Sequence, residues 1–415
     1  MVFMPQVLTV IAPGFKADPE QFDLAVTLSR ITFPYLLLMS LTALLGGMLN
    51  AHHRFGPFAF APTLFNLCLV IALLWSALFE NAGYAMAWGI VAAGFIQLGW
   101  LWANLKRAGL RIRFVKPGFS PRIRRVFKLM GPGVIGAGAQ QINLFIDTII
   151  ASFLATGAIS YLYYADRLNQ LPLGMVGIAV GTALLPMLSR ALSQDNREEA
   201  RDLFNRALEM CLFLALPAAA ALCVMPHSII SVLFERGEFN AQDALTTAHV
   251  LGGYSLGLPA YICIKVFASA HWARQDTMTP VKIAIVGAVF NTVVALSLIF
   301  VAGIGVAGIA WATGLSAWVQ FVMHMRALRD LPAAKFDERF LRVWWRIVTA
   351  TALMSLFLFV AGSVLQVYDA PHGIGKYIGL LALIGGGGIV YAGAIFGFGV
   401  LKVSEIKGFL VRKNV

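Results

Sequence analysis

Ser160-Tyr-Leu-Tyr-Tyr-Ala-Asp-Arg-Leu-Asn-Gln-Leu-Pro172 opens a long apolar segment that runs on to about residue 190. Asp166 and Arg167 stand inside it. A charge in hydrocarbon costs about 2.5–3.5 kcal/mol on insertion scales, so this pair must face protein or a water-filled cavity. Tyr161, Tyr163 and Tyr164 come just before it, and amphipathic rings favour a membrane interface. One reading is a cationic site for an anionic substrate that enters from one membrane face. The plainer reading is an Arg–Asp pair that only positions a helix end.

The rest of the chain is of the same kind. Of 415 residues, 59% are apolar and 13% charged, the composition of a polytopic membrane protein. Eleven full apolar spans follow one another, at about 24–49, 58–79, 83–105, 129–155, 161–190, 204–226, 244–270, 281–301, 305–325, 344–366 and 376–400. Spans of this length in series predict a bundle of membrane helices rather than a barrel. Ahead of them, residues 1–11 are apolar and end at Ala12-Pro13-Gly14-Phe15, with no basic stretch in front. Eleven helical residues reach about 16 Å, half of a hydrocarbon core. The expectation is a chain that starts partway through a helix.

The basic residues set the orientation. One alternating set of loops carries 26 Lys and Arg and the other three, Lys16, Arg236 and Lys376. The rich set, with the C-terminus, is expected in the cytoplasm. This distribution favours contact with an anionic leaflet and argues against nucleic acid as a partner. Lys106 to Lys128 holds nine basic residues and no acid. It reads as a linker at 106–128 between a first lobe, 1–105, and a second, 129–325, with a further segment at 326–415. Pro34 through Arg54 to Asn66 loosely echoes Pro259 through Arg274 to Asn291, as two pseudo-repeated lobes with a central cavity would.

Inside the spans, Asp147 shares a helix face with Asn143, four residues before it. A carboxylate with amide neighbours in a membrane can bind a proton or sodium, or pair with a cation. Asn291 and Thr313 would add oxygens if their helices meet it; otherwise Asp147 is a neutral packing residue. Lys265 is read about one turn from the end of its span, snorkelling or facing a cavity. Arg30 could do likewise, or join Arg167 in a cationic vestibule. Cys68, Cys211, Cys223 and Cys263 form no CxxC and read as packing residues. The histidines are scattered and do not cluster as ligands. Gly385 to Gly388 lies within a span, so it reads as close helix packing rather than a phosphate cradle. Residues 193–205 read as a short amphipathic helix or a helical extension, and Leu233 to Phe239 as a structural turn. The last two spans read as lipid-facing or groove-forming. Paired carboxylates, a Ser/His/Asp order and metal spacing are missing from the loops, which counts against an enzyme.

Several motifs, in order, resemble the MurJ (MviN) family of lipid II flippases in the multidrug/oligosaccharidyl-lipid/polysaccharide exporter (MOP) superfamily. They are Ala12-Pro13-Gly14-Phe15, Ile31-Thr32-Phe33-Pro34-Tyr35, Phe60-Ala61-Pro62-Thr63-Leu64, Tyr163 to Leu168, Arg274-Gln275-Asp276-Thr277 and Thr279-Pro280-Val281-Lys282. The resemblance implies an all-α, two-lobed bundle of the MATE/MOP type with two extra C-terminal helices. The eleven spans would be helices 4 to 14 of fourteen. By the same resemblance, Arg167 matches the family's essential cavity arginine, Asp166 its neighbour and Ser160 a cavity serine. Gln170 stands where some members have glutamate, and Lys265 matches a basic position. Asp147 and Asn291 match a proposed sodium site, but Ala295 stands where those members carry a second acid.

The implied activity is alternating-access transport of an undecaprenyl-pyrophosphate-linked muropeptide across the bacterial inner membrane, for cell-wall biogenesis. No cofactor is implied; coupling to sodium, a proton or the membrane potential is. The expected protein is monomeric, surrounded by membrane lipids and a candidate partner of the cell-wall synthesis machinery. The alternatives are export of another lipid-linked oligosaccharide or a drug, or a non-transporting membrane scaffold.

Overall fold

The computed structural model describes residues 1–110, 121–179, 184–194, 196–365 and 374–400. Among these all regular secondary structure is helical, apart from one isolated bridge between Arg236 and Phe239. The chain divides into two compact units, Met1–Met130 and Gly131–Val415. The middle of the expected linker, with Arg111, Arg113 and Lys116, lies outside the described residues, as do Asp369 and the tail after 400.

The first unit holds α1 (Met4–Ile11), α2 (Pro19–Thr32), α3 (Pro34–Ala51), α4 (Gly56–Leu74) and α5 (Ala82–Arg107). Asp18 caps α2, its carboxylate accepting from the backbone N–H of Glu20 and Gln21. α2 and α3 join at Phe33, which keeps helical angles, with Pro34 in the first helical position where its missing N–H costs nothing. The span read at 24–49 is therefore two helices in line. α5 packs against α3 and α4. Its buried Gln97 donates to the Ala61 carbonyl at 2.9 Å and accepts from the Tyr35 hydroxyl, satisfying an amide in an apolar interior.

The second unit contains the larger part of α6 (Pro121–Ser152), then α7 (Ala158–Ala179), α8 (Leu185–Ser193), α9 (Arg197–Val224), α10 (Pro226–Phe234), α11 (Ala241–Ala273), α12 (Met278–Leu296), α13 (Ala307–Ala327), α14 (Glu338–Leu365) and α15 (Ile374–Gly397). α11 is its centre, packed by α7, α9 and α13. The contact with α13 is backbone on backbone. A Cβ on Gly257 would lie 2.6 Å from the Gly314 Cα, and one on Gly314 would lie 2.5 Å from the Gly253 carbonyl oxygen. Only glycine allows that approach, the small-residue packing that membrane helices use in place of a hydrophobic driving force. α11 starts in a capping box: Asn240 accepts from the N–H of Gln242 and Asp243, and Asp243 accepts back from the Asn240 N–H. The other oxygen of Asp243 accepts from Tyr161 at 2.5 Å, which ties the first turn of α7 to that cap.

Eight helices among the described residues are long and apolar enough to cross a membrane. Helices also stand at the three remaining expected places, α6, α7 and α13. Within the span read at 161–190, α7 is described to Ala179 and α8 from Leu185, with Pro186 in its first turn. Residues 197–205 belong to α9, the helical extension of the two readings. Two features differ from the sequence reading. α10, a short helix with buried Ser228 and Ser231, was not foreseen. Lys376 is not a loop residue. It lies in the first turn of α15, 4% exposed, with its Nζ 3.4 Å from Glu235 Oε2.

Candidate functional site

The α7 side chains come first. Ser160, Tyr163, Arg167 and Gln170 are exposed and recur at three- and four-residue spacing, so they form one face of the helix. Asp166 is half-buried. It accepts from the Gln170 amide rather than forming an ion pair with its neighbour. The Arg167 guanidinium lies over the Tyr163 ring, 4.6 Å from its centroid. That is a cation–π contact, which holds a guanidinium in place without neutralising it. Asn169, one step round the helix, is 5% exposed, and its Oδ1 has no hydrogen-bond partner among the described residues.

The second constellation is in the interior of the same unit. Asp147 of α6 is 8% exposed and accepts from Asn291 Nδ2 of α12 at 3.3 Å. Asn291 is 1% exposed, and its Oδ1 accepts from the Thr313 hydroxyl of α13, also at 3.3 Å. The Thr313 carbonyl accepts from the Tyr261 hydroxyl of α11 at 3.4 Å. The three residues singled out in sequence thus meet across three helices, and Tyr261 joins them from α11. Asn143 Oδ1, one turn from Asp147, is buried and has no hydrogen-bond partner among the described residues. One carboxylate, two amide oxygens and a hydroxyl are hard oxygen donors, which fit a proton or a small hard cation. Ala295, fully buried, adds no second acid.

Tyr254 and Tyr261 were not foreseen. They lie seven residues apart on α11; Tyr254 is buried, and Tyr261 donates to the Thr313 carbonyl. Their heptad spacing was the available signal. The other two candidates stand apart. Lys265 is exposed on α11, more than two turns before the helix ends at Ala273 rather than one. Arg30 is exposed in the last turn of α2, in the first unit.

Two of the histidines pack together. His271 and His324 are each 2% exposed, with ring centroids 5.4 Å apart, and His271 Nδ1 is 3.1 Å from Asp276 Oδ2. They meet because α11 and α13 pack so closely. Among the described residues no group of three or more His, Cys, Asp or Glu could hold a metal ion.

A many-helix membrane bundle with an exposed arginine face on one helix and a buried carboxylate–amide cluster beside it belongs to the class of polytopic transporters. The chain belongs to the MurJ lipid II flippase family, whose model matches residues 1–372. A protein of Rhizobium meliloti strain 1021 described as "Probable lipid II flippase MurJ" is 41% identical over 411 residues, 96% of this chain and 75% of the relative. Among solved structures, "Lipid II flippase MurJ, inward closed conformation" aligns with a TM-score of 0.74 at 24% identity, over 95% of this chain and 78% of that one. An inward-facing multidrug resistance MATE family transporter of the MOP superfamily aligns with a TM-score of 0.59 at 15% identity, over 84% of this chain and 78% of that one. Both place the fold in the two-lobed MATE/MOP type. The family is one of transporters, not enzymes.

Proposed function

We propose that this chain moves lipid II, the undecaprenyl-pyrophosphate-linked muropeptide, across the bacterial inner membrane by alternating access. The observation that carries the reading is Arg167: an exposed guanidinium, held by Tyr163 and not paired with Asp166, in a chain of this family. A pyrophosphate is a natural ligand for such a group, since arginine binds phosphate oxygens through two parallel hydrogen bonds. Ser160 and Gln170 share its face and offer hydrogen bonds to the head group; Lys265 and Arg30 are further candidate cations. The basic loops and the C-terminus lie in the cytoplasm, in keeping with their 26 Lys and Arg.

Asp147, Asn291 and Thr313 form the coupling site. Their donors suit a proton or sodium, which would bind at the carboxylate and bias the packing of α6, α12 and α13. The test is complementation of a flippase-depleted strain together with lipid II accessibility at the outer face. Wild-type chain should restore both and Arg167→Ala neither. An Arg167→Ala variant that restores both would leave a scaffold as the better reading. A photo-crosslinker at Ser160 that traps a different lipid-linked oligosaccharide would replace the substrate.

A further inference from the structure

Arg274-Gln275-Asp276-Thr277 takes no part in the α7 face or in the Asp147 cluster. It makes the turn from α11 to α12. Gln275 has φ +63°, a left-handed backbone that few residues other than glycine adopt. The turn is nonetheless tied down. The backbone N–H groups of Arg274 and Asp276 both donate to the His271 carbonyl at 3.0 Å. Asp276 accepts from the Thr279 N–H at 3.0 Å and lies 3.1 Å from His271 Nδ1. Backbone strain persists where its surroundings fix it, and it collects at ligand clamps.

The turn carries Arg274 to the wall of a pocket of about 630 Å³, where α8 passes into α9 and where α11 and α13 end. Small-ligand pockets run from about 300 to 1,000 Å³. Its other charged walls are Arg197, in the first turn of α9, and Asp330, just after α13; Leu192, Leu331 and Pro332 supply apolar surface. The connector after α13 is held as firmly as the turn. Arg201 donates to the Lys335 and Phe336 carbonyls at 3.1 and 2.8 Å, and Asn205 donates to the Lys335 carbonyl at 3.0 Å. Walls set in advance spare a ligand the cost of ordering them.

The walls select by chemistry. Two guanidiniums on separate elements suit phosphate oxygens, which arginine binds through paired hydrogen bonds. Glu198 and Glu199 share the first turn of α9 with Arg197, so the surrounding charge is mixed and long-range attraction adds little. Asp330 repels a bare anion and accepts from hydroxyl groups. Leu331 and Pro332 offer a surface for a flat ring. All of these residues lie past the apolar spans, where a ligand arrives from water.

We propose that this pocket binds a nucleoside phosphate, with the phosphate at Arg197 and Arg274, the sugar hydroxyls at Asp330 and the base against Leu331 and Pro332. The site is separate from the arginine face of α7 and does not depend on the transport reading.

The test is calorimetric titration of ADP into the full chain, held in phosphatidylcholine nanodiscs so that both faces meet solvent. Wild type should bind one ADP per chain and inorganic phosphate far more weakly. Arg274→Gln, at an exposed position, should keep the wild-type melting temperature and lose ADP affinity by on the order of tenfold, the loss of one hydrogen bond to a charged group. Asp330→Ala removes both the acceptor and the repulsion, and should narrow the gap between ADP and phosphate. No saturable ADP binding to wild type, or wild-type affinity in Arg274→Gln, would overturn the proposal. Phosphate binding as tight as that of ADP would also overturn it, leaving a site for a bare anion. So would loss of ADP binding in phosphatidylglycerol nanodiscs, which would give the pocket to a lipid head group. Should Arg274→Gln fail to fold, Arg197→Gln decides by the same loss.

Discussion

Asn291 donates its amide hydrogen to Asp147 across 3.3 Å, joining α12 to α6 in the interior of the second unit. Asn291→Ala leaves a buried carboxylate without its donor, a loss of about 1–3 kcal/mol. A melting temperature lowered by several degrees in detergent is the expected reading. Asp147→Asn keeps the shape and removes the titratable group. It should fold, while transport loses its dependence on sodium or pH in proteoliposomes. An Asp147→Asn protein with the wild-type ion response would remove the coupling role.

The stacking of Arg167 on Tyr163 separates charge from orientation. Tyr163→Leu removes the ring and keeps the cation, a contact of about 0.5–1 kcal/mol at an exposed site. Complementation should weaken only severalfold. Arg167→Lys keeps the charge but loses the planar fork, and should fall between Tyr163→Leu and Arg167→Ala.

Gly314→Ala tests the contact between α11 and α13. The new methyl would meet the Gly253 carbonyl oxygen at 2.5 Å, so the helices must part. Overpacking of this kind costs about 1–3 kcal/mol. A control at Gly362, where nothing lies within 4 Å, should leave the melting temperature unchanged.

The Lys376–Glu235 pair predicts an asymmetry. Both side chains are largely buried, at 5% and 16% exposure, and Glu235 also accepts from Ser231. Removing one partner of a buried pair costs about 3–5 kcal/mol, whereas replacing both can be nearly neutral. Lys376→Met should therefore lower stability more than Lys376→Met combined with Glu235→Gln. Equal losses would mean that the charge pairing contributes nothing.

Asp276, in the turn between α11 and α12, gives the pH prediction. The Thr279 backbone N–H, donating at 3.0 Å, then the Thr279 hydroxyl and His271, hold its carboxyl at about 2, below the usual 3.8. A folded-state value below the unfolded one means stabilisation that is complete above about pH 4 and lost as pH falls through about 2. Asp276→Asn should lower the melting temperature at pH 6, and the gap from wild type should close on acidification. A gap that stays constant down to pH 3 would show that the carboxylate charge has no part in holding the turn.

The spans were legible because apolar length is a one-dimensional signal. The places where that signal misled share a cause. α10 disappeared into the apolar run before it. Lys376 carries a charge and so reads as a loop residue, because burial by Glu235, the residue that follows α10, leaves no local trace. The Asp147 cluster was half legible: residue type named its members, but only packing could bring α6, α12 and α13 together. Tyr261 and the His271–His324 pair needed the α11–α13 contact first, and that contact is written in glycines, which have many other uses.

α11 has 33 residues, about 50 Å of helix against a hydrocarbon core of about 30 Å. Its Asn240–Asp243 box and its Asp276 turn therefore sit in the aqueous layers with more than a turn of helix to spare on each side. Bilayers of different cellular membranes differ in thickness by only a few ångströms. Such a change slides the lipid along α11 without drawing either end into it. The central post of the second unit is in this way indifferent to the depth of the membrane around it, and lipid thickness can act only on the shorter helices that lean against it.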